Sequence, residues 1–342
     1  MLKKAIVIAL STFALVGCSS EVDDEKEKVE QGTVEPGNNE QVEEAAFQFP
    51  LTGERTKQEP EVRSVAVMVN NHPKARPQSG LSQADIVYEV LAEGEITRFL
   101  AIFQSEKPEK IGPVRSARDY YIDLAKGYDS LYIAHGYSPK AREMLRGGSI
   151  DNLNGIEYDG SLFKRASDRV APHNSYISYT DIVRGAEDKE FEMSTPPENL
   201  SFLEKEEKIT GEMVESVTVS YFDNPLFEVV YQYNEEKGKY ERYSNGEQTI
   251  DYETGEPVLL ENIFIAETAH KVVDSAGRRN IDIQSGGEAY LLQEGKMQQV
   301  EWENEGGKIL PYKDGEQVPF VKGSTWINII PDNPGLDGSV SY

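Results

Sequence analysis

Cysteine is nearly absent from this sequence. Among 342 residues Cys18 stands alone, so no internal disulfide can form and burial must hold the fold together. Positive charge is also scarce. With 35 Lys and Arg against 60 Asp and Glu the formal net charge is -25, which argues against nucleic acid and anionic lipid as ligands, since both repel an acidic body. No apolar run reaches the roughly 20 residues that a membrane-spanning helix needs. The spacings that announce a reaction are missing as well: neither HExxH nor CxxC supports a metal, and there is no GxSxG nucleophile elbow. The expectation is therefore a protein with no metal and no cofactor.

What is present begins with a secretory signal. Lys3 and Lys4 precede an apolar run from Ala5 to Val16, and Leu15-Val16-Gly17-Cys18 resembles the bacterial lipobox, in which the cysteine thiol is linked to diacylglycerol and becomes the mature N-terminus. Residues 1–17 read as the signal peptide and Cys18 as the lipidation site. From Glu21 to Ala46 there is no aromatic residue, and ten acidic residues against two lysines give -10 + 2 = -8. That composition cannot build a core, so 18–46 reads as the lipidated cysteine followed by a disordered acidic linker. Diacylglycerol on Cys18 would then supply the membrane affinity that the charge denies.

Folded sequence starts near Phe47. Ser64 to Asn70 is a short apolar run rich in valine, the pattern of a strand buried on both faces. The segments from Asp85 to Leu91 and Ile96 to Gln104 predict a hairpin around Glu93-Gly94, with a register that sets Glu89 opposite Arg98 in apolar surroundings. IGPVRSARDYYIDLAKGYD predicts a helix with Ser116 as N-cap. Ser130 to Ala134 reads as a strand ending at His135, and SPKAREMLRGG as a second amphipathic helix. TDIVRGAEDKE predicts a further helix, capped by Thr180. Residues 47–200 are thus expected to form a mixed α/β domain with a mixed sheet, in the α+β sense that the hairpin implies. Beyond the paired prolines of MSTPPENLSF helical periodicity vanishes, and strands follow one another with turns at Glu236-Lys237-Gly238, Asn245-Gly246 and Asp314-Gly315. Residues 201–342 are expected to form a mostly β domain, a β-roll or small barrel, with Trp302 and Trp326 as core anchors.

The polar chemistry gathers between Val65 and His135, with His173 in APHNSY as an addition. Arg115 and Arg118 flank the expected start of the Ser116 helix, where free amides and partial positive charge favour an anion. Arg76, Arg98 and Arg165 could join them. His135 ends a strand, on the side of an α/β sheet where ligands tend to bind. The candidate binding cluster is Glu89, Arg98, Arg115, Arg118, His135 and His173. The plain alternative is that the arginines only neutralise Glu89 or Asp119.

VMVNNHPKARPQSGL, ADIVYE, EGEITRFLAIFQ, IGPVRSARDY and APHNSY together resemble the YerB-like lipoprotein family of Gram-positive bacteria, a family known as a domain of unknown function. GGEAYLLQEGKMQQVEWENE and GSTWINIIP are similar to its C-terminal domain. The resemblance implies a two-domain envelope lipoprotein and brings no catalytic residues with it. Two functions are expected from the whole. One is an accessory protein on the outer face of the cytoplasmic membrane that binds an anionic cell-wall glycan fragment or a wall-synthesis partner. The other is a hydrolase or transferase acting on wall polymers, with Glu89, His135 or His173 as acid or base.

Overall fold

Six residues from Val65 to Asn70 form a strand with every side chain buried, and the rest of the sheet is laid out around it. The computed structural model describes residues 46–204, 207–222 and 224–342. The signal, Cys18 and nearly all of the acidic linker lie outside the described residues. Residues Glu44–Tyr342 form one of the two compact units into which the chain divides.

The strands that matter here are β1 (Val65–Asn70), β2 (Ile86–Glu93), β3 (Ile96–Phe103), β4 (Leu131–Ala134), β5 (Asn152–Asn154), β6 (Ser216–Ser220), β7 (Glu228–Asn234), β8 (Lys239–Ser244), β9 (Asn262–Thr268), β10 (His270–Val272), β11 (Arg279–Ile281), β12 (Gly287–Gln293), β13 (Lys296–Glu305), β14 (Lys308–Lys313), β15 (Glu316–Gln317) and β16 (Thr325–Pro331). The helices that matter here are α1 (Asp119–Lys126), α2 (Pro139–Arg146) and α3 (Tyr179–Asp188). A twelve-stranded mixed sheet has eleven strands in the order β15-β14-β13-β12-β9-β16-β2-β3-β1-β4-β5, and the twelfth, the short strand Glu212–Met213, pairs with β13 off that path. It is continuous across residue 200, because β16 pairs in parallel with β2. Strands β9, β16, β2, β1, β4 and β5 all point the same way, with β3 antiparallel to both its neighbours. Their C-terminal ends therefore share one edge of the sheet, the edge on which α/β proteins tend to place ligands.

Both faces of the central strands are covered, which is why their sequences are continuously apolar. On one face Val65, Val67, Val87, Phe99 and Ala101 pack with Ile182 of α3 and with Val219, Val229 and Tyr240 of a second, six-stranded sheet that contains β6, β7 and β8. On the other, Ala66, Met68, Tyr88, Leu100 and Tyr132 pack with Tyr121 and Leu124 of α1, and with Trp302 and Ile309 of β13 and β14. Trp302 and Trp326 are both core residues, 1% and 0% exposed. The fold is mostly strand with a mixed sheet, and none of the described sheets closes into a barrel.

Three local expectations need correction. The hairpin turn is Gly94-Glu95, with Glu93 paired to Ile96 and an irregularity between Leu91 and Glu93. Glu89 consequently lies opposite Phe99, and Arg98 opposite Val90. Because side chains alternate along a strand, Glu89 and Arg98 project from opposite faces. The first helix begins at Asp119 with Arg118 as an N-cap that makes no side-chain bond; Ser116 Oγ instead donates to the His135 carbonyl at 3.1 Å. Helix α3 is capped by Ser178, whose Oγ accepts from Asp181 N at 3.0 Å, and not by Thr180. Ser178 has the extended backbone that a cap requires, while Thr180 is already inside the helix.

Candidate functional site

Glu89 leaves β2 toward the second sheet and meets a cation the sequence reading missed. Arg242 Nη2 donates to Glu89 Oε2 at 2.8 Å, and the two side chains are 1% and 0% exposed. Trp326 Nε1 donates to the same oxygen at 3.2 Å; Thr97 Oγ1 and Asn71 Nδ2 donate to the other at 2.9 and 3.1 Å. Burial is the largest influence on the Arg242 pKa and acts to lower it, but Glu89 and Tyr231 together outweigh it and the guanidinium is held more firmly charged than usual. Its Cζ lies over the rings of Trp326 and Phe99, 4.5 and 5.3 Å from their centroids. All of this carboxylate's bonding is spent inside the protein. The signal was present in KYERYSNG, where Tyr240, Arg242 and Ser244 share the inward face of β8.

Arg98 and Arg118 belong to a different carboxylate on the other face. Arg98 Nη2 bonds Glu93 Oε2 at 2.6 Å and Nη1 bonds the Ser116 carbonyl at 2.6 Å. Arg118 pairs with Glu93 Oε1. Two arginines thus share Glu93, and burial lowers the pKa of each.

Arg115, His135 and His173 do come together, on the C-terminal edge of β1 and β4. The segment carrying Arg115 is held by its own amide bonding Met68 O and by its carbonyl accepting from His135 N, both at 2.9 Å. The guanidinium approaches Pro172 O at 3.5 Å, its buried Nε has no partner, and among the described residues no carboxylate pairs with it. Burial, and then the Arg98 charge, pull its pKa down to about 10. His173 Nδ1 accepts from Asn70 Nδ2 at 2.8 Å, with the ring of His72 4.6 Å away. His135 Nδ1 faces Ser175 Oγ at 2.7 Å, and Nε2 faces Arg165 Nη2 at 3.1 Å. A donating guanidinium makes Nε2 the acceptor, so Nδ1 carries the proton toward Ser175. Gly155 makes room for this ring, since a Cβ there would sit 2.2 Å from His135 Nδ1. All three imidazoles are pulled below the usual range, first by burial and then by cations such as Lys74, Arg115 and Arg165. At neutral pH they are uncharged donors and acceptors beside a charged arginine.

The arrangement suits holding an anion better than moving a proton. Among the described residues no histidine hydrogen-bonds a carboxylate, and Ser175, the hydroxyl beside His135, is buried at 1% exposure. The S-x-x-K spacing of Ser161 and Lys164 offers no nucleophile either: Lys164 Nζ bonds the Ser161 carbonyl, and Ser161 Oγ bonds Tyr158 O at 3.0 Å. No group of three His, Cys, Asp or Glu side chains that could hold a metal occurs among the described residues.

Comparison with known proteins finds one family over most of the chain. Residues 51–192 match the N-terminal domain, and residues 217–327 the C-terminal domain, of the family described as protein of unknown function (DUF3048). The chain is 50% identical over 285 residues to the Bacillus subtilis (strain 168) protein named "Putative lipoprotein YerB", covering 83% of this chain and 86% of the relative. The crystal structure of the YerB protein from Bacillus subtilis superposes with a TM-score of 0.80 at 49% identity, over 86% of this chain and all of that one. With both domains matched in order and half of the aligned residues identical to this relative, the chain belongs to the DUF3048 family of YerB-like proteins.

Proposed function

We propose that this protein is a lipoprotein anchored through diacylglycerol on Cys18 at the outer face of the cytoplasmic membrane, and that it binds an anionic glycan fragment of the cell envelope on the Arg115 edge. The lipobox and the name of the Bacillus subtilis relative support the anchor. The observation that carries the binding reading is Arg115 itself: a half-buried guanidinium with a buried, unpartnered Nε and no carboxylate partner among the described residues, close to neutral His72, His135 and His173, in a protein of net charge -25. A partly desolvated cation without an anion is less stable than one in water. An anionic sugar would supply the missing charge, while the imidazoles and the Asn70 amide offer bonds to hydroxyl and acetamido groups.

The test compares Arg115→Ala with Arg118→Ala, using anionic glycan fragments released from cell wall by enzymatic digestion as the probe. Arg115→Ala is expected to weaken binding about tenfold or more, the size of one charge-assisted bond, while thermal unfolding stays close to that of the parent. Arg118→Ala leaves Glu93 with one arginine and is expected to lower the melting temperature. Unchanged glycan binding in Arg115→Ala, or a loss that merely tracks unfolding, overturns the reading.

A further inference from the structure

A second concentration of positive charge lies further along the same edge of the sheet and is independent of the Arg115 site. There the starts of α1 and α2 face the arm made by β10 and β11 across a cavity of about 400 Å³. Five cations line it, Arg118, Lys140, Lys271, Arg278 and Arg279, against two carboxylates, Asp119 and Asp274. An excess of three positive charges in one hollow of so acidic a chain is not what average composition produces.

The carboxylates present do not exhaust these cations. Asp119 takes Lys140 at 2.7 Å and Asp274 takes Arg278 at 2.5 Å. Glu93, outside the lining, is divided between Arg118 and Arg98. Lys271 is exposed on β10 and has no carboxylate partner among the described residues. Among the described residues Arg279 hydrogen-bonds the Gly94 carbonyl, at 2.8 Å, through Nη2, and lies over the Phe222 ring 5.5 Å from its centroid, while its buried Nε has no hydrogen-bond partner. The Arg118 side chain is 8% exposed and its Nε likewise has no partner. Two helix starts add to the same field, that of α1 with no side chain capping it.

The chemistry matched by several guanidinium and ammonium groups with helix amides is that of phosphate, which presents multiple acceptor oxygens and up to two charges. The cavity is far larger than one phosphate group and falls within the range of small-molecule sites. Pro139 and Val273 give it apolar wall on which the rest of a molecule can rest. We propose that this cavity binds a phosphate monoester or diphosphate carried on a small organic body, of about the size of a sugar phosphate.

The probes are glucose 1-phosphate, inorganic pyrophosphate and, as the neutral control, methyl glucoside, followed by calorimetry and thermal shift on the purified full chain. Phosphatidylcholine vesicles with and without phosphatidic acid form a separate arm, because a phosphate monoester can also be a lipid headgroup. Lys271→Glu and Arg279→Gln alter residues outside the core, and circular dichroism checks that both fold. Glucose 1-phosphate is expected to bind the parent and to bind each variant about tenfold more weakly, with Arg115→Ala behaving as the parent and methyl glucoside not binding. Capture by phosphatidic acid vesicles that Lys271→Glu abolishes would also support the proposal and would assign the phosphate to a lipid. Equal phosphate affinity in the parent and both variants, or no binding in either arm, overturns it. Weakening in Arg115→Ala alone would instead place the phosphate on the other site and overturn the assignment to this cavity.

Discussion

A carboxylate that reaches the middle of a sheet needs its counter-charge within hydrogen-bonding distance, and Glu89 receives it from 153 positions further along the chain. The pair is fully desolvated and every Glu89 oxygen is bonded, so removing one member strands the other. Arg242→Met is expected to destabilise the protein by about 3 to 5 kcal/mol, the usual cost of an uncompensated buried charge. The double variant Glu89→Gln with Arg242→Met is expected to recover a large part of that loss, because no charge is then left behind. Urea unfolding of the parent, both singles and the double measures it as a cycle. A loss under about 1 kcal/mol for Arg242→Met would mean that water reaches Glu89 and that the pair is not the closed knot described.

Elements decide what residue types alone leave open. The irregularity between Leu91 and Glu93 moves the hairpin by one position, and one position is enough to send Glu89 to one core and Arg98 to the other. The β10–β11 arm shows a similar effect on titration. His270 on β10 has both ring nitrogens buried without hydrogen-bond partners among the described residues, and burial, then Arg279, pushes its pKa down to about 3. The unfolded chain holds this histidine near its ordinary value of about 6.5, so below that pH the unfolded state binds the extra proton and stability is lost as pH falls. At pH 5 the loss from this group is about 2 kcal/mol. His72, His135 and His173 shift in the same direction and add to it. Asp85 opposes them: burial raises it to about 6, so its contribution is largest at low pH and declines as pH rises from about 4 to 6. The informative quantity is therefore a difference. His270→Phe is expected to lose about 2 kcal/mol less than the parent between pH 7.5 and pH 5 in urea unfolding, and parallel pH profiles would show that His270 is solvated.

On the scale of the whole molecule, the acidic body and the proposed anchor on Cys18 would act in opposite directions at a membrane. Net charge of -25 repels an anionic bilayer, so retention should depend on the lipid alone. Cys18→Ala is expected to shift the protein from the membrane fraction to the soluble extracytoplasmic fraction without altering its unfolding temperature. A variant that still sediments with membranes would require a different anchor. The same contrast organises the folded body, where cations collect at the C-terminal edge of the parallel strands despite the overall charge. Of that edge, Arg115, His135 and His173 were visible in advance, because a strand end and an unusual loop mark them locally. His72, Arg242 and the β10–β11 arm were not, because what makes them notable is the element each faces across the fold. The sequence by itself determined the signal and lipobox pattern, the buried character of Val65–Asn70, the strand-rich second half and the family, since each follows from composition or spacing within a short stretch. Only the tertiary structure decided that Glu89 pairs with Arg242 and that Arg98 and Arg118 share Glu93 while Arg115 keeps an unspent charge. Pairing between distant strands depends on register, and register is fixed by a single extra residue and by the packing of two sheet faces that no local pattern encodes.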